Sequence, residues 1–268
     1  MDRKMEGSVG QMSARRDLPV AFFDSGVGGL SVLREAVKRM PHENCLYFGD
    51  SANAPYGTKS EEEIRSLTLG HARRLYDRGI KALVVACNTA TSAAIRPLRE
   101  IYTDIPVIGI EPALKPAVRS GEHPRVLVMA TPLTVQGSKF HKLLDQYRDR
   151  GEITALPCPG LMEYVEKGEL NGPGVRGCLE KLLKPCLERG VDAIVLGCTH
   201  YPFVRPLIRE IAGENVQILD GGEGTARELQ RRLAEMDLLT DRKEKGEIVY
   251  MESLPERIPL CRELMKMN

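Results

Sequence analysis

Ala82-Leu83-Val84-Val85-Ala86-Cys87-Asn88-Thr89-Ala90 decides the fold, because the chain carries its pattern twice. Downstream stands Ala193-Ile194-Val195-Leu196-Gly197-Cys198-Thr199-His200-Tyr201. The match begins earlier and runs without a gap, with Arg78-Gly79-Ile80-Lys81 against Arg189-Gly190-Val191-Asp192. Each copy reads as a helix ended by glycine, a short apolar run, then a cysteine followed by small polar residues. The carboxyl ends of strands in α/β sheets are where ligands are held. Two cysteines in equivalent turns predict one site with two thiols.

On either side of these copies, short apolar runs alternate with helical patterns, which signals a parallel sheet. Strands are expected at 20–23, 45–48, 82–86 and 106–110, and again at 125–129, 153–156, 193–197 and 216–219. Leu30, Leu33 and Val37 mark a helix that stops at Met40-Pro41. Ser60 and Glu63 form a capping box for a helix reaching Gly79, with Ile64, Leu67, Ala72 and Leu75 facing inward. Residues 138–150 and 161–170 read as helical, and Pro173 opens a longer helix that Pro185 disturbs near its end. The fold class is therefore α/β, with two similar lobes from a duplicated parallel-sheet unit and the active site in the cleft between them. The tail adds an amphipathic helix (Ala226, Leu229, Leu233) and a strand at 247–251 that fold back on the first lobe. The expected lobes are 18–112 plus 222–268, and 113–221. Residues 1–17 lack the apolar centre of a signal peptide and are expected to be a disordered extension.

Composition narrows the function. The 38 basic and 37 acidic residues leave no electrostatic footprint for nucleic acid, and the absence of Trp with 5% aromatics disfavours a base-stacking platform. No apolar run is long enough to span a membrane. The expected compartment is the cytoplasm. Seven cysteines, an odd number, argue there for reduced thiols over a disulfide framework. No CxxC and no His pair at ligand spacing occurs, so no metal is expected. Cys45, Cys158, Cys178, Cys186 and Cys261 lack the repeated context and are assigned to core or surface.

Polar residues gather at strand ends: Asp24, Asp50, Cys87, Glu111, Thr131, Cys158, Cys198 and Asp220. The glycine-rich Asp24-Ser25-Gly26-Val27-Gly28-Gly29 fits neither nucleotide-binding spacing. It reads as a tight turn whose helix start can bind a small anion, with Asp24 placed to hold an ammonium or orient a base. His200, two residues after Cys198, can lower a neighbouring thiol pKa from about 8.5. Asn88, Thr89 and Thr199 offer neutral hydrogen bonds to ammonium and carboxylate groups, or cap the following helices. Two thiols flanking a carbon can racemise it without a cofactor: one, as thiolate, removes a proton from one face, and the other returns a proton to the opposite face. The site must then stabilise a carbanion and exclude water.

With these residues in place, the chain resembles the glutamate racemases of the cofactor-independent aspartate/glutamate racemase superfamily. The resemblance rests on DSGVGGLSVL (Asp24 to Leu33), GDSANAPYG (with Asp50 and Pro55 to Gly57), ACNTAT (Ala86 to Thr91), GIEPALKPA (Gly109 to Ala117) and LGCTHYP (Leu196 to Pro202), and covers the chain from about residue 18 onward. It implies that Cys87 acts on the α-proton of one enantiomer and Cys198 on that of the other. It implies that Asp24, Ser25, Tyr56, Gly57, Asn88, Thr89, Thr199 and His200 line the substrate, and that Glu166, with Asp24 and His200, assists the thiols. It further implies glutamate as substrate, no cofactor, D-glutamate for peptidoglycan, and a homodimer. The chain departs from the family where G-T-x-x-T-x-x-S-x-x-Y has Ala130, Gly137 and Phe140, where Glu163 replaces a proline, and where Gly221 replaces a serine. These changes bear on specificity and rate. A racemase of aspartate or another small α-substituted acid, and a non-catalytic binding protein on the same scaffold, remain alternatives.

Overall fold

The computed structural model describes residues 15–267. Its first half runs β1 (Val20–Asp24), α1 (Leu30–Arg39), β2 (Cys45–Gly49), α2 (Glu61–Asp77), β3 (Ala82–Val85), α3 (Asn88–Ile101) and β4 (Val107–Gly109). The second half runs α4 (Leu114–Ala117), β5 (Arg125–Ala130), α5 (Pro132–Gln136), α6 (Ser138–Asp145), β6 (Glu152–Pro157), α7 (Leu161–Glu166), α8 (Pro173–Leu187), β7 (Ala193–Leu196), α9 (Arg205–Ala212) and β8 (Gln217–Asp220). The tail supplies α10 (Gly222–Glu235), β9 (Ile248–Glu252) and α11 (Ile258–Leu264).

Two sheets result, ordered β4-β3-β1-β2-β9 and β6-β5-β7-β8. Every strand pair is parallel. Read from its far edge, the second order is the first with each strand replaced by its counterpart, and β9 is the one addition. The central strands β1, β3, β5 and β7 are apolar on both faces because both faces are covered, as parallel sheets require. The repeat also fixes backbone geometry. Gly79 and Gly190, at equivalent helix ends, both adopt left-handed φ values, +83° and +84°, which an L side chain resists.

Local signals explain most boundaries. The Ser60 side chain caps α2 by accepting from the Glu63 N–H at 3.2 Å. Pro173 occupies the first turn of α8, where its missing N–H costs nothing. Pro97 lies inside α3 and cannot donate to the Ala93 carbonyl; the Arg65 Nε donates there instead, at 3.0 Å. The helix expected over 138–150 is shorter, since α6 stops at Asp145 and a separate turn follows at Arg148–Arg150. On α2, Leu67 is only half-buried while Thr68 and His71 are buried. Thr68 donates to the Ile64 carbonyl at 2.7 Å and His71 Nε2 lies 2.9 Å from Asp50, so each buried side chain has a partner, while the His71 Nδ1 has none among the described residues.

The expected extension falls mostly on residues 1–14, outside the described residues. Of residues 15–17, Arg15 donates to the Asp104 carbonyl at 2.8 Å and Arg16 pairs with Asp237. A continuous apolar core joins the two sheets: Leu30, Leu33 and Val27 share it with Leu127, Leu161, Leu196 and Phe203, and with Leu229 and Leu233 of the tail. Among the described residues no helix is long and apolar enough to cross a membrane.

Candidate active site

In each sheet the strand order reverses beside the first strand: β2 lies to one side of β1 and β3 to the other, and β6 and β7 flank β5 likewise. Such reversals open a crevice at the strands' carboxyl ends. Asp24 ends β1 and Cys87 follows β3; Thr131 follows β5 and Cys198 follows β7. The two crevices meet. One cavity of about 10 Å³ is lined by Cys87 and Cys198 together, with Ser25, Asn88, Thr89 and Thr199 among its walls. Tyr56, Gly57 and His200 also line it. Asp24 and Glu166 lie behind this wall rather than in it, each bonded to a residue that lines the cavity.

Cys87 sits at the N-terminus of α3, where its Sγ accepts from the Ala90 N–H at 3.4 Å and lies 3.4 Å from the Ser25 Oγ. Those bonds and the helix start favour a thiolate. They do not prevail: burial, with the Asp24 carboxylate adding to it, pushes the Cys87 thiol up to about 12. Asp24 is itself lifted to about 6, by burial, against the pull of His200 and of the Gly26 N–H it accepts at 3.0 Å. Its other oxygen accepts from the Thr199 hydroxyl at 3.1 Å, a bond between the two halves of the chain.

Around Cys198 the arrangement differs. Its Sγ lies 3.6 Å from the His200 Nδ1, and the His200 Nε2 lies 2.6 Å from the Glu166 Oε1. Burial works against a charge on His200, but Cys198 and Glu166 outweigh it and raise the imidazole well above its ordinary value. Burial likewise opposes the Glu166 charge, and His200 with the Val27 N–H, donating at 2.9 Å, holds the carboxyl low. The result is a chain of thiol, imidazole and carboxylate fixed to the first half through Val27.

The glycine-rich loop has a use that sequence did not disclose. A Cβ on Gly26 would overlap the Glu166 carboxylate, and one on Gly28 would overlap the His200 ring and the Thr199 hydroxyl. Neither glycine has a left-handed φ. Their smallness admits side chains from the other half, rather than shaping a turn. The sequence reading also missed Thr131 and Met162 as walls of the cavity. Thr131 carried a signal, its place at the end of β5; Met162 on α7 carried none, reading as core. Thr131, Thr89 and Thr134 form a hydroxyl cluster with separations of 2.9 to 3.4 Å.

Of the departures, Gly221 has a steric reason: a side chain there would overlap the Glu111 carbonyl, because the chain's two crossings between the sheets touch. Phe140 is buried in the second sheet's outer core.

Comparison with known proteins bears on the family and the fold. Residues 25–229 match the model of the Asp/Glu/Hydantoin racemase family. A glutamate racemase of Clostridium perfringens is 50% identical over 255 residues, covering 94% of this chain and 98% of that protein. A glutamate racemase isoform from Bacillus anthracis superposes with a TM-score of 0.85 at 31% identity, covering 94% and 96% of the two chains. The glutamate racemase of Francisella tularensis, in complex with D-glutamate, gives 0.79 at 28% identity over 94% and 95%.

Proposed function

The chain belongs to the Asp/Glu/Hydantoin racemase family, and from that premise we propose that it interconverts L- and D-glutamate by two-thiol proton transfer, without a cofactor. It is an isomerase of the amino-acid racemase type. The observation that carries the mechanism is that Cys87 and Cys198, from equivalent turns of a duplicated unit, line one cavity.

The α-carbon lies between the two sulfurs. Asn88, Thr89 and Thr199 bind its carboxylate, while Asp24 behind Thr199 supplies the negative charge an ammonium requires. Tyr56, Gly57 and Ser25 hold the remainder. In one direction Cys198, with imidazolium His200 as its cation and Glu166 behind it, takes the α-proton as thiolate. Cys87, held as a thiol by burial and Asp24, delivers a proton to the opposite face. In the reverse direction the roles exchange. The ammonium matters to that exchange: paired with Asp24, it cancels the charge that holds the Cys87 proton, so substrate itself eases ionisation of that thiol. Backbone N–H groups at the α3 start and the threonine hydroxyls stabilise the carbanion, and substrate between the sulfurs displaces the water there.

The family resemblance extends this reading to D-glutamate supply for peptidoglycan, to a cytoplasmic setting and to a homodimer. Proton NMR of L-glutamate, and separately D-glutamate, in D₂O tests the core claim. The α-proton signal should vanish and the opposite enantiomer appear, and Cys87→Ser or Cys198→Ser should abolish both. Exchange of aspartate but not glutamate would overturn the substrate; binding without any exchange would overturn the reaction.

A further inference from the structure

The cavity between the thiols, at about 10 Å³, has room for about one water. An amino acid must reach it by some route, and the surrounding cavities mark one. A second cavity of about 230 Å³ adjoins it. Asn88 lines both. Beside it the wall is the Thr131–Thr134 pair, with hydroxyls 2.9 Å apart; Thr131 faces the thiols and Thr134 the larger cavity. The remaining surface is mainly apolar, with Ile110 and Pro112 from one half and Phe140 and Leu143 from the other. Asn88 is buried, and its Oδ1 has no hydrogen-bond partner among the described residues. An unpaired buried acceptor costs about 1–3 kcal/mol, and this one is placed to accept from an ammonium passing between the cavities.

Outward, the larger cavity shares Ser92, Glu111, Lys139 and Lys142 with a broad groove of about 800 Å³. The groove sets five cations (Arg65, Arg96, Arg99, Lys139 and Lys142) against three carboxylates (Glu61, Glu100 and Glu111). Arg65 pairs with Glu61 at 2.6 Å and Lys139 with Glu111 at 3.4 Å. Among the described residues Arg96 and Lys142 form no ion pair, and both are exposed.

We infer that groove, larger cavity and Asn88 wall form the route by which the anionic amino acid reaches Cys87 and Cys198, with Arg96 and Lys142 as its capture residues. The inference rests on the racemase reading above. Glutamate carries two carboxylates and one ammonium at neutral pH, so a groove of net positive charge raises its local concentration, and does so less as salt screens it. The Glu111–Lys139 pair ties the segment between β4 and α4 to α6 of the other sheet across the cavity mouth. Parting that pair, and the Thr89 hydroxyl from those of Thr131 and Thr134 at 3.4 and 3.2 Å, admits the substrate.

The test is steady-state racemisation of glutamate by the full chain at low and high ionic strength. The double variant R96Q/K142Q should lose about tenfold in kcat/KM at low salt, through KM, with kcat within about twofold of wild type. The gap should close at high salt, which a merely structural effect would not do. Ser92→Trp, filling the larger cavity, should cut kcat/KM by about tenfold or more at every salt concentration, with circular dichroism and melting as in wild type. Wild-type kcat/KM for R96Q/K142Q at low salt, or for a folded Ser92→Trp, would overturn the route alone. A wild-type enzyme that does not racemise glutamate would overturn the racemase reading and the route together.

Discussion

Cys87 follows β3, caps α3 and has the Ser25 hydroxyl 3.4 Å away; Cys198 follows β7 and faces the His200 imidazole at 3.6 Å, with Glu166 behind it. The two turns descend from one pattern and occupy equivalent places in sheets of the same topology. Their surroundings have diverged. A carboxylate and burial hold the proton on Cys87, whereas Cys198 stands beside an imidazole whose affinity for a proton is raised. Duplication set where each sulfur sits, and the residues contributed from elsewhere set what surrounds it. The two-thiol racemisation proposed for this site needs both: equivalent positions on opposite faces of one carbon, and unlike protonation at any moment.

The strongest way to break that comparison is to remove one sulfur. Cys87→Ser and Cys198→Ser should each lower racemisation at least about a hundredfold in both directions, measured by circular dichroism on separate enantiomers. Retention of activity in one variant would mean that one turn is structural and the resemblance between the turns is inherited rather than used.

A subtler test sharpens the difference between the sides. His200→Asn should lower kcat/KM by about tenfold or more. Because enantiomers have equal free energy, that loss must be identical in both directions and cannot reveal a side. The asymmetry appears in the α-deuterium isotope effect on kcat/KM. It should rise for the one enantiomer whose proton Cys198 removes and fall for the other, whose deuteron leaves to Cys87 before the slowed Cys198 step. Equal changes for both would show that His200 supports the cavity as a whole.

The sequence disclosed the parts of this comparison that are local. A buried parallel strand is a short apolar run, so the eight strands and their pairing into repeats could be read directly. The left-handed glycines at 79 and 190 and the Ser60 cap depend on a few neighbouring residues and were equally legible. The long-range polar chain was not. Residue spacing alone does not bring Glu166 to Val27 and His200, and its place in the site came from family resemblance. The clearance that Gly26 and Gly28 give to the other half exists only once the halves pack. Burial of Thr68 and His71 on α2 was hidden for the same reason. An apolar-face reading favours Leu67, whereas His71 is buried because Asp50, on a different element, awaits it.

Asp24 and Asp50 close the comparison within a single sheet. They stand at the ends of adjacent strands and both are buried, yet they titrate in opposite directions. Burial lifts Asp24 to about 6. For Asp50, burial works the same way, but bonds from His71, Tyr56 at 2.7 Å and Asn53 at 3.0 Å outweigh it and hold the carboxyl down to about 2. The signs follow from linkage. A raised folded pKa gives stability that is present below the ordinary value and lost as pH rises through about 6. A lowered one gives stability that is present above the ordinary value and lost as pH falls through about 2. At neutral pH Asp24→Asn should therefore stabilise the fold by about 1–2 kcal/mol, several degrees in melting temperature, and the gain should vanish near pH 4. Asp50→Asn should destabilise by a similar amount at neutral pH, the deficit shrinking only in strong acid. Thermal melts across pH check both. The pairing separates a carboxylate kept against stability, beside the thiol it tunes, from one that the fold has fully partnered. If Asp24→Asn instead melted lower at neutral pH, Asp24 would belong with Asp50 as a structural anchor, and the charge that distinguishes the Cys87 side would need another source.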